Sequence, residues 1–411
     1  MILVPNHRLR LNGNRFLFLL LVVLFAACSK KTAPVVDTPK PTPEKEEPVK
    51  KEEPKAVLPH SMALILPFHL NKINPTEADL KEIKKADLAI DFYQGFKLAL
   101  DSLSAEGNNF KLQLFDSQED ELQMVNLARA KSVLNNDLII GPIFPESIKT
   151  FGEFADLKDK LQVSPLAATN PEQFENPKLV SLTNNIDQHG WKVADFINRK
   201  FKPAHVNLVL INTRSNDDEK FATPFKSHLN ELSESGYAIN EKPNSIGLEE
   251  HLSDEKTNLV IIASDKRDFL LPTIDRLYKL SKAGMKIEVF GHPNWVKAQF
   301  LNAEKMQWLN TRITSSYFVN YKSQKVKSFI ARYLDEYGSE PSDFSFKGFD
   351  TGYFFGKLLA RYGNEYAGHL TDADYEGLHN NFHFVRDKNL GYLNTELMIL
   401  KYQGFELQVE K

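Results

Sequence analysis

The chain holds a single cysteine in 411 residues, and that residue, Cys28, lies close to the start. No internal disulfide can form and no thiolate cluster can gather a metal, so the fold has to rest on its core. Neither charge sign dominates: 51 lysines and arginines meet 54 aspartates and glutamates, a formal net charge of −3. That balance lacks the positive excess carried by proteins that track a phosphate backbone, which argues against nucleic acid as a partner. The phosphate-loop, His-Glu-x-x-His and Gly-x-Ser-x-Gly patterns are missing, as is a Gly-x-Gly-x-x-Gly after the first strand. The sequence therefore offers neither a catalytic constellation nor a cofactor cradle, and an enzyme is not expected. His379 and His383 stand at the spacing of a zinc pair on a helix. With Asn380 and Asn381 between them and Phe382 and Phe384 flanking the second, the stretch reads as a turn entering a strand, and no metal site is expected.

Long apolar runs are equally scarce. The one unbroken stretch, Phe16 to Ala27, falls short of the about 20 residues that a spanning helix needs. It follows Arg8, Arg10 and Arg15 with no acid among them, and it ends in Ala26-Ala27-Cys28, which is the three-part layout of a secretory signal over residues 1–27. A cysteine directly after small residues resembles the bacterial lipobox, although Phe25 stands where that pattern prefers leucine. The resemblance implies that Cys28 is diacylated and N-acylated with chains such as palmitate, and two or more chains give stable attachment to a membrane. Ser29, Lys30 and Lys31 follow, not the acids that tend to mark surface export, so the periplasmic face of an outer membrane is the expected location. Residues 28–60 then form a tether. From Ser29 to His60 there are no Phe, Trp or Tyr and seven prolines, too little apolar surface to offset the entropy of ordering.

From Ser61 onward, short apolar runs alternate with longer amphipathic ones. Ala63–Pro67, Lys111–Asp116, Leu138–Gly141, Gln162–Leu166 and Leu179–Leu182 read as strands, with helices over Ala89–Ser104, Glu119–Leu134 and Ile148–Leu157. The rhythm restarts with a helix at Gly190–Lys200, a strand at Val206–Asn212 and a helix at Pro224–Ser233. A strand at Asn258–Ser264, a helix at Arg267–Ala283 and a strand at Lys286–Gly291 follow. Such β-α-β repetition predicts mainly parallel sheets with helices on both faces, and about 350 residues are more than one core usually holds. Two lobes are expected. Helices at Ser323–Tyr337 and Phe346–Tyr362 and a closing hairpin, Asn394–Tyr402 with Phe405–Val409, end the chain.

Several of these segments carry a resemblance. Ala89 to Leu100, Leu114-Phe115-Asp116, Ile139-Ile140-Gly141-Pro142 and Val163 to Asn170 resemble the first lobe of type I periplasmic binding proteins, especially the branched-chain amino-acid receptor group. Phe329 to Tyr333, Tyr337-Gly338, Pro341 and Gly348-Phe349-Asp350-Thr351-Gly352-Tyr353 resemble that group's C-terminal helices. The resemblance implies an α/β fold of two lobes, each a mainly parallel sheet flanked by helices: residues 61–185 with 320–411, and residues 186–319. It implies a small ligand in the cleft between them, an amino acid, a peptide or a cell-wall fragment, and a transporter as a protein partner. Outer-membrane lipoproteins that activate peptidoglycan synthases have the same fold, so contact with a cell-wall synthase is the alternative. By the same resemblance, Ser147, Ala168, Thr169 and Asn170 line the first-lobe side of the cleft. In the second lobe no tyrosine follows Val206–Asn212, which departs from amino-acid binders. Asp265 is there either a ligand for an ammonium group or a helix N-cap, Arg214 is a candidate grip on a carboxylate, and Trp295 is either a cleft wall or core.

Overall fold

Alternation along each strand decides how the sheets are covered. The computed structural model describes residues 59–70, 72, 80–232 and 236–410; the expected export signal, Cys28 and all of the expected tether before Pro59 lie outside them. In the first lobe β1 (His60–Leu66), β2 (Phe110–Asp116), β3 (Leu138–Ile140), β4 (Gln162–Ser164) and β5 (Leu179–Ser181) are parallel in the order β2-β1-β3-β4-β5. Met62, Leu64 and Leu66 point to one face, where they join Phe92 and Phe96 of helix α1 (Leu80–Ala105). Ala63 and Ile65 point to the other, against Met124 of α2 (Glu121–Arg129) and Phe151 of α3 (Pro145–Phe154). A sheet buried on both faces needs apolar residues at every strand position, and β1 supplies them.

The second lobe repeats the plan. Helix α4 (Ile186–Lys200) leads into β6 (Val206–Ile211), α5 (Asn216–Leu232), β7 (Ile239–Lys242), β8 (Thr257–Ile262), α6 (Arg267–Lys282), β9 (Ile287–Gly291), α7 (Ala303–Trp308) and β10 (Arg312–Ser315). Their sheet order is β7-β6-β8-β9-β10, all parallel. The chain then returns to the first lobe through α8 (Gln324–Tyr337) and α9 (Asp343–Tyr362). A two-stranded ribbon follows, β11 (Tyr375–Glu376) with β12 (Asn381–Phe382), and then β13 (Phe384–Asp387) and β14 (Gly391–Asn394), of which β14 lies parallel to β5.

Three expectations change. The closing hairpin forms, as β15 (Met398–Gln403) and β16 (Glu406–Val409), but β15 pairs antiparallel with β10, so it completes the second sheet and not the first. The stretch 395–397 is therefore a third crossing between lobes, beside those at 182–185 and 316–323. Strand β7 was not apparent in sequence because Ile-Asn-Glu-Lys at a sheet edge is only half-buried throughout. Helix α5 begins well before Pro224, opened by Asp217, Asp218 and Glu219, acids that favour a helix N-terminus.

Helices α1 and α9 lie backbone to backbone. A Cβ added at Gly348 would fall 2.0 Å from the Phe92 carbonyl oxygen, and one at Gly95 would fall 1.8 Å from that of Ser345. We expect Gly348→Ala to force the two helices apart at a cost of about 3 kcal/mol, the upper range for overpacking. Urea unfolding should show this as a lower midpoint with an unchanged slope.

Candidate functional site: the cleft between the lobes and its hinge

Parallel strands converge their carboxyl ends, and with them the loops and helix N-termini that follow, on one edge of the sheet. In the first lobe that edge is ordered by Asp116 at the end of β2. Its carboxylate accepts the backbone N–H groups of Phe68 (2.9 Å), His69 (3.1 Å), Leu70 (2.8 Å) and Gln118 (3.0 Å), which holds the loop after β1 in place. Ser147 lies in the first turn of α3, where Pro145 is pre-set for a helix start. It is half-exposed, as is Thr169, and Ala168 between β4 and the next turn is exposed. Asn170 caps a short 3-10 turn through Glu172 N–H (3.1 Å) and donates its amide to Asp187 Oδ2 at 3.2 Å. Asp187 opens α4, so this bond spans from a first-lobe loop to the first helix of the second lobe. Burial holds the Asp187 carboxyl above its ordinary range, with Glu172 adding to the effect.

The second-lobe candidates do not all reach this edge. Trp295 is 1% exposed, stacked on the backbone of Gly291 in the core of its lobe, and donates its indole N–H to the Ser264 carbonyl at 3.0 Å. It is core and not a cleft wall. Arg214 is held in the left-handed region, φ 63°, and its guanidinium points past an exposed surface to Glu241 of the edge strand, 3.6 Å away. Asp265 is not the N-cap of α6: the cap position falls on Lys266, whose side chain caps nothing. Asp265 instead accepts the Asn294 amide at 2.7 Å and lies 3.6 Å from Lys266. Burial alone would raise its pKa, but Asn294, His292 and Lys266 outweigh burial and lower it, so it remains a carboxylate at the second-lobe edge.

The crossings are stitched by polar side chains. Asn184 and Gln188 both donate to the Asn394 carbonyl at 2.8 Å, and the Asn394 amide donates to the Leu182 and Asn381 carbonyls, each at 3.0 Å. His189, one turn into α4, is buried with Nδ1 2.9 Å from Thr314 Oγ1 and Nε2 3.4 Å from Ser316 Oγ. Beyond β10, Tyr317 pairs with Asn380, and its ring lies flat on His379 with centroids 4.6 Å apart at 5°. His379 and His383 find separate partners: Asn380 Oδ1 at 2.6 Å for the first and Asp374 Oδ1 at 2.7 Å for the second. Sequence reasoning missed His379, Lys347 and Asp350 as parts of the hinge. The only signal for them was Asp350 inside the Gly-Phe-Asp-Thr-Gly-Tyr segment, since their partners lie far away in the chain.

No family model matches the sequence, and no curated protein shows significant similarity to it. Solved structures do match in fold. A Rhodospirillum rubrum protein described as a branched-chain amino acid ABC transporter superposes with a TM-score of 0.61 at 15% identity, over 86% of this chain and 100% of its own. Full-length LpoA from Haemophilus influenzae gives 0.56 at 13% identity, covering 86% of this chain and 59% of LpoA. An ABC transporter substrate-binding protein from Desulfitobacterium hafniense, in complex with leucine, gives 0.51 at 14% identity over 85% of this chain and 99% of its own.

The buried hinge histidine sets a pH dependence. Burial, with His292 nearby, lowers the His189 pKa to about 3, whereas an unfolded histidine titrates near about 6.5. Below about 6.5 the unfolded chain binds a proton that the folded chain refuses, so stability falls as the pH drops. His189→Gln removes this term. Compared with the parent, its loss of unfolding free energy between pH 7 and pH 5 should be smaller by about 2 kcal/mol, measured by urea titration at both pH values.

Proposed function

We propose that this chain, whose two-lobed fold is that of type I periplasmic binding proteins, is an extracytoplasmic binding module that holds a small ligand between its lobes. The observation that carries the reading is the first-lobe edge. There the loops after β3 and β4 leave Ser147, Ala168 and Thr169 accessible in front of a hinge made of three crossings. Hydroxyls and backbone N–H groups at such an edge suit an acceptor group on a ligand, and closing the lobes on it is a hinge motion biased by the ligand's preference for the closed state. Asp265 and Asn294 stand on the facing loops of the second lobe. An amino acid, a short peptide or a cell-wall fragment is the class of ligand proposed, and one similar structure of this fold does hold leucine.

Attachment to a membrane through acylated Cys28 belongs to the same proposal, with the segment before Pro59 as tether and the periplasmic side of an outer membrane as the location. A second reading, an activator of a peptidoglycan synthase that works by protein contact, is favoured by the second lobe. Its Trp295 is buried and its Asp265 is held by Asn294 and Lys266, so two of the three candidate ligand contacts there are committed elsewhere.

Melting temperature against a panel of amino acids, short peptides and muropeptides tests the first reading on residues 57–411. A ligand at a hundredfold its dissociation constant should stabilise by about 2.7 kcal/mol, and Thr169→Val or Ser147→Ala should remove the shift. No shift with any member would favour the synthase reading, to be pursued by pull-down with cell-wall synthases. For the anchor, Cys28→Ala in an expressing bacterium should move the protein from the membrane fraction to the soluble one, and mass spectrometry of the parent should find three acyl chains on its first residue. An unacylated parent would overturn that part.

A further inference from the structure

Three polar side chains lie around Tyr317, and two of them, His379 and Lys347, lack partners that account for them. His379 is 1% exposed. Asn380 spends its amide on the Ser316 carbonyl (3.0 Å), so its Oδ1 is the acceptor for His379 Nδ1, which must carry the ring proton. His379 Nε2 is then a bare lone pair, and it has no hydrogen-bond partner, a costly state for a buried polar atom. Lys347, in the first turns of α9, holds its ammonium 5.3 Å from the centroid of the Tyr317 ring and has neither a hydrogen bond nor a carboxylate contact among the described residues. Lys297 comes from the second lobe, in the turn after β9, and its ammonium is 5.4 Å from the same centroid. Among the described residues the acid beside the two lysines is Asp343, 3.8 Å from Lys297.

Attraction to the Tyr317 ring explains part of this, since an aromatic face draws a cation. It leaves the N–H groups of Lys347 without an acceptor and does nothing for the imidazole lone pair, while Lys297, open to solvent beside Asp343, is free to turn toward the same place. Burial first, and Lys297 second, lower the Lys347 amine to about 8. An anion between the two ammonium groups would satisfy both, and a donor on that anion would satisfy Nε2.

We propose that Lys347, Lys297 and His379 form an anion subsite on the hinge side of the cleft, for a carboxylate or phosphate group that also carries a hydroxyl or N–H donor. The two lysines grip the oxyanion and His379 Nε2 accepts from the donor. Because Lys297 belongs to the second lobe while Lys347 and His379 belong to the first, the bound anion ties the lobes together and favours the closed state. The inference rests on the cleft reading above and names the charge its ligand carries.

Calorimetric titration of the full chain with inorganic phosphate and, separately, with lactate tests it and tells the two sources of anion apart. One of the two should bind, and Lys347→Met and Lys297→Met should each weaken it about tenfold, the loss of one charge-assisted hydrogen bond. Lys297 is exposed, so its variant folds even where Lys347→Met does not. Absence of binding to either anion, or affinity unchanged in Lys297→Met, overturns the subsite. Failure of the cleft reading looks different: the anion binds in a lysine-dependent way, yet no member of the ligand panel does. A panel ligand whose affinity depends on Thr169 but on neither lysine leaves the cleft standing and removes the subsite.

Discussion

The hinge is organised by one buried charge. Asp350, with no exposure to solvent, accepts the backbone N–H groups of Leu378 (2.8 Å), His379 (2.8 Å) and Asn380 (2.9 Å) and the hydroxyl of Tyr375 (3.0 Å). A carboxylate taken out of water is tolerable only when such donors replace the water. Burial pushes its pKa up to about 6 while the four donors pull it down. The loop it gathers crosses so close that a Cβ on Gly377 would sit 2.6 Å from the Asp350 carboxylate. From that loop Asn380 reaches the Ser316 carbonyl, His379 N–H and C=O serve Asp350 and Phe318, and Tyr317 pairs with Asn380. Helix α9, the minor ribbon and the crossing after β10 are therefore held in one arrangement by a single side chain.

Around this point the nature of the contacts changes. Each lobe closes its own apolar cores, with Phe92, Phe96 and Phe355 on one side and Phe221, Phe225 and Phe290 on the other. Many contacts that span lobes and crossings are polar, such as Asn170 to Asp187, Asn184 and Gln188 to Asn394, and Lys297 to Asp343, beside the stacking of Tyr317 on His379. A hydrogen bond exchanged for water changes the free energy by only about 0.5–1.5 kcal/mol, whereas exposing a buried phenylalanine costs about 1.5–3 kcal/mol. The lobes are thus rigid bodies by their cores, and the contacts between them are of the kind that can open.

What the sequence revealed follows from the range of the forces involved. Strands such as Ala63–Leu66 and Val206–Ile211 announce themselves because apolar burial on both faces is written in consecutive residues, and helix α4 because its apolar period is local. The two-lobed plan came from the restart of that rhythm. Loop side chains were harder to read. Asp265 sits in the run Asp-Lys-Arg-Asp, where a cap is the local expectation, and Asn294 claims it from 29 residues away. Trp295 follows a strand as a cleft residue would, yet the space over Gly291 draws it inward. The final hairpin was visible, but the lobe it joins depends on β10 offering a free edge, and nothing local says so. His379 was noticed for its spacing from His383 and not for Tyr317, its actual neighbour.

These placements also bear on the ligand proposed for the cleft. The first-lobe edge offers donors, in hydroxyls and backbone N–H groups, while the hinge side offers two ammonium groups against the single carboxylate of Asp343. On the second lobe Asp265 is already held by Asn294 and Lys266, so its charge is largely answered within the protein. The Arg214 guanidinium is exposed and lies 3.6 Å from Glu241. A zwitterion needs an unpaired acid for its ammonium group, and Asp265 is already held by Asn294 and Lys266, as Asp217 is by Lys220 and Lys266.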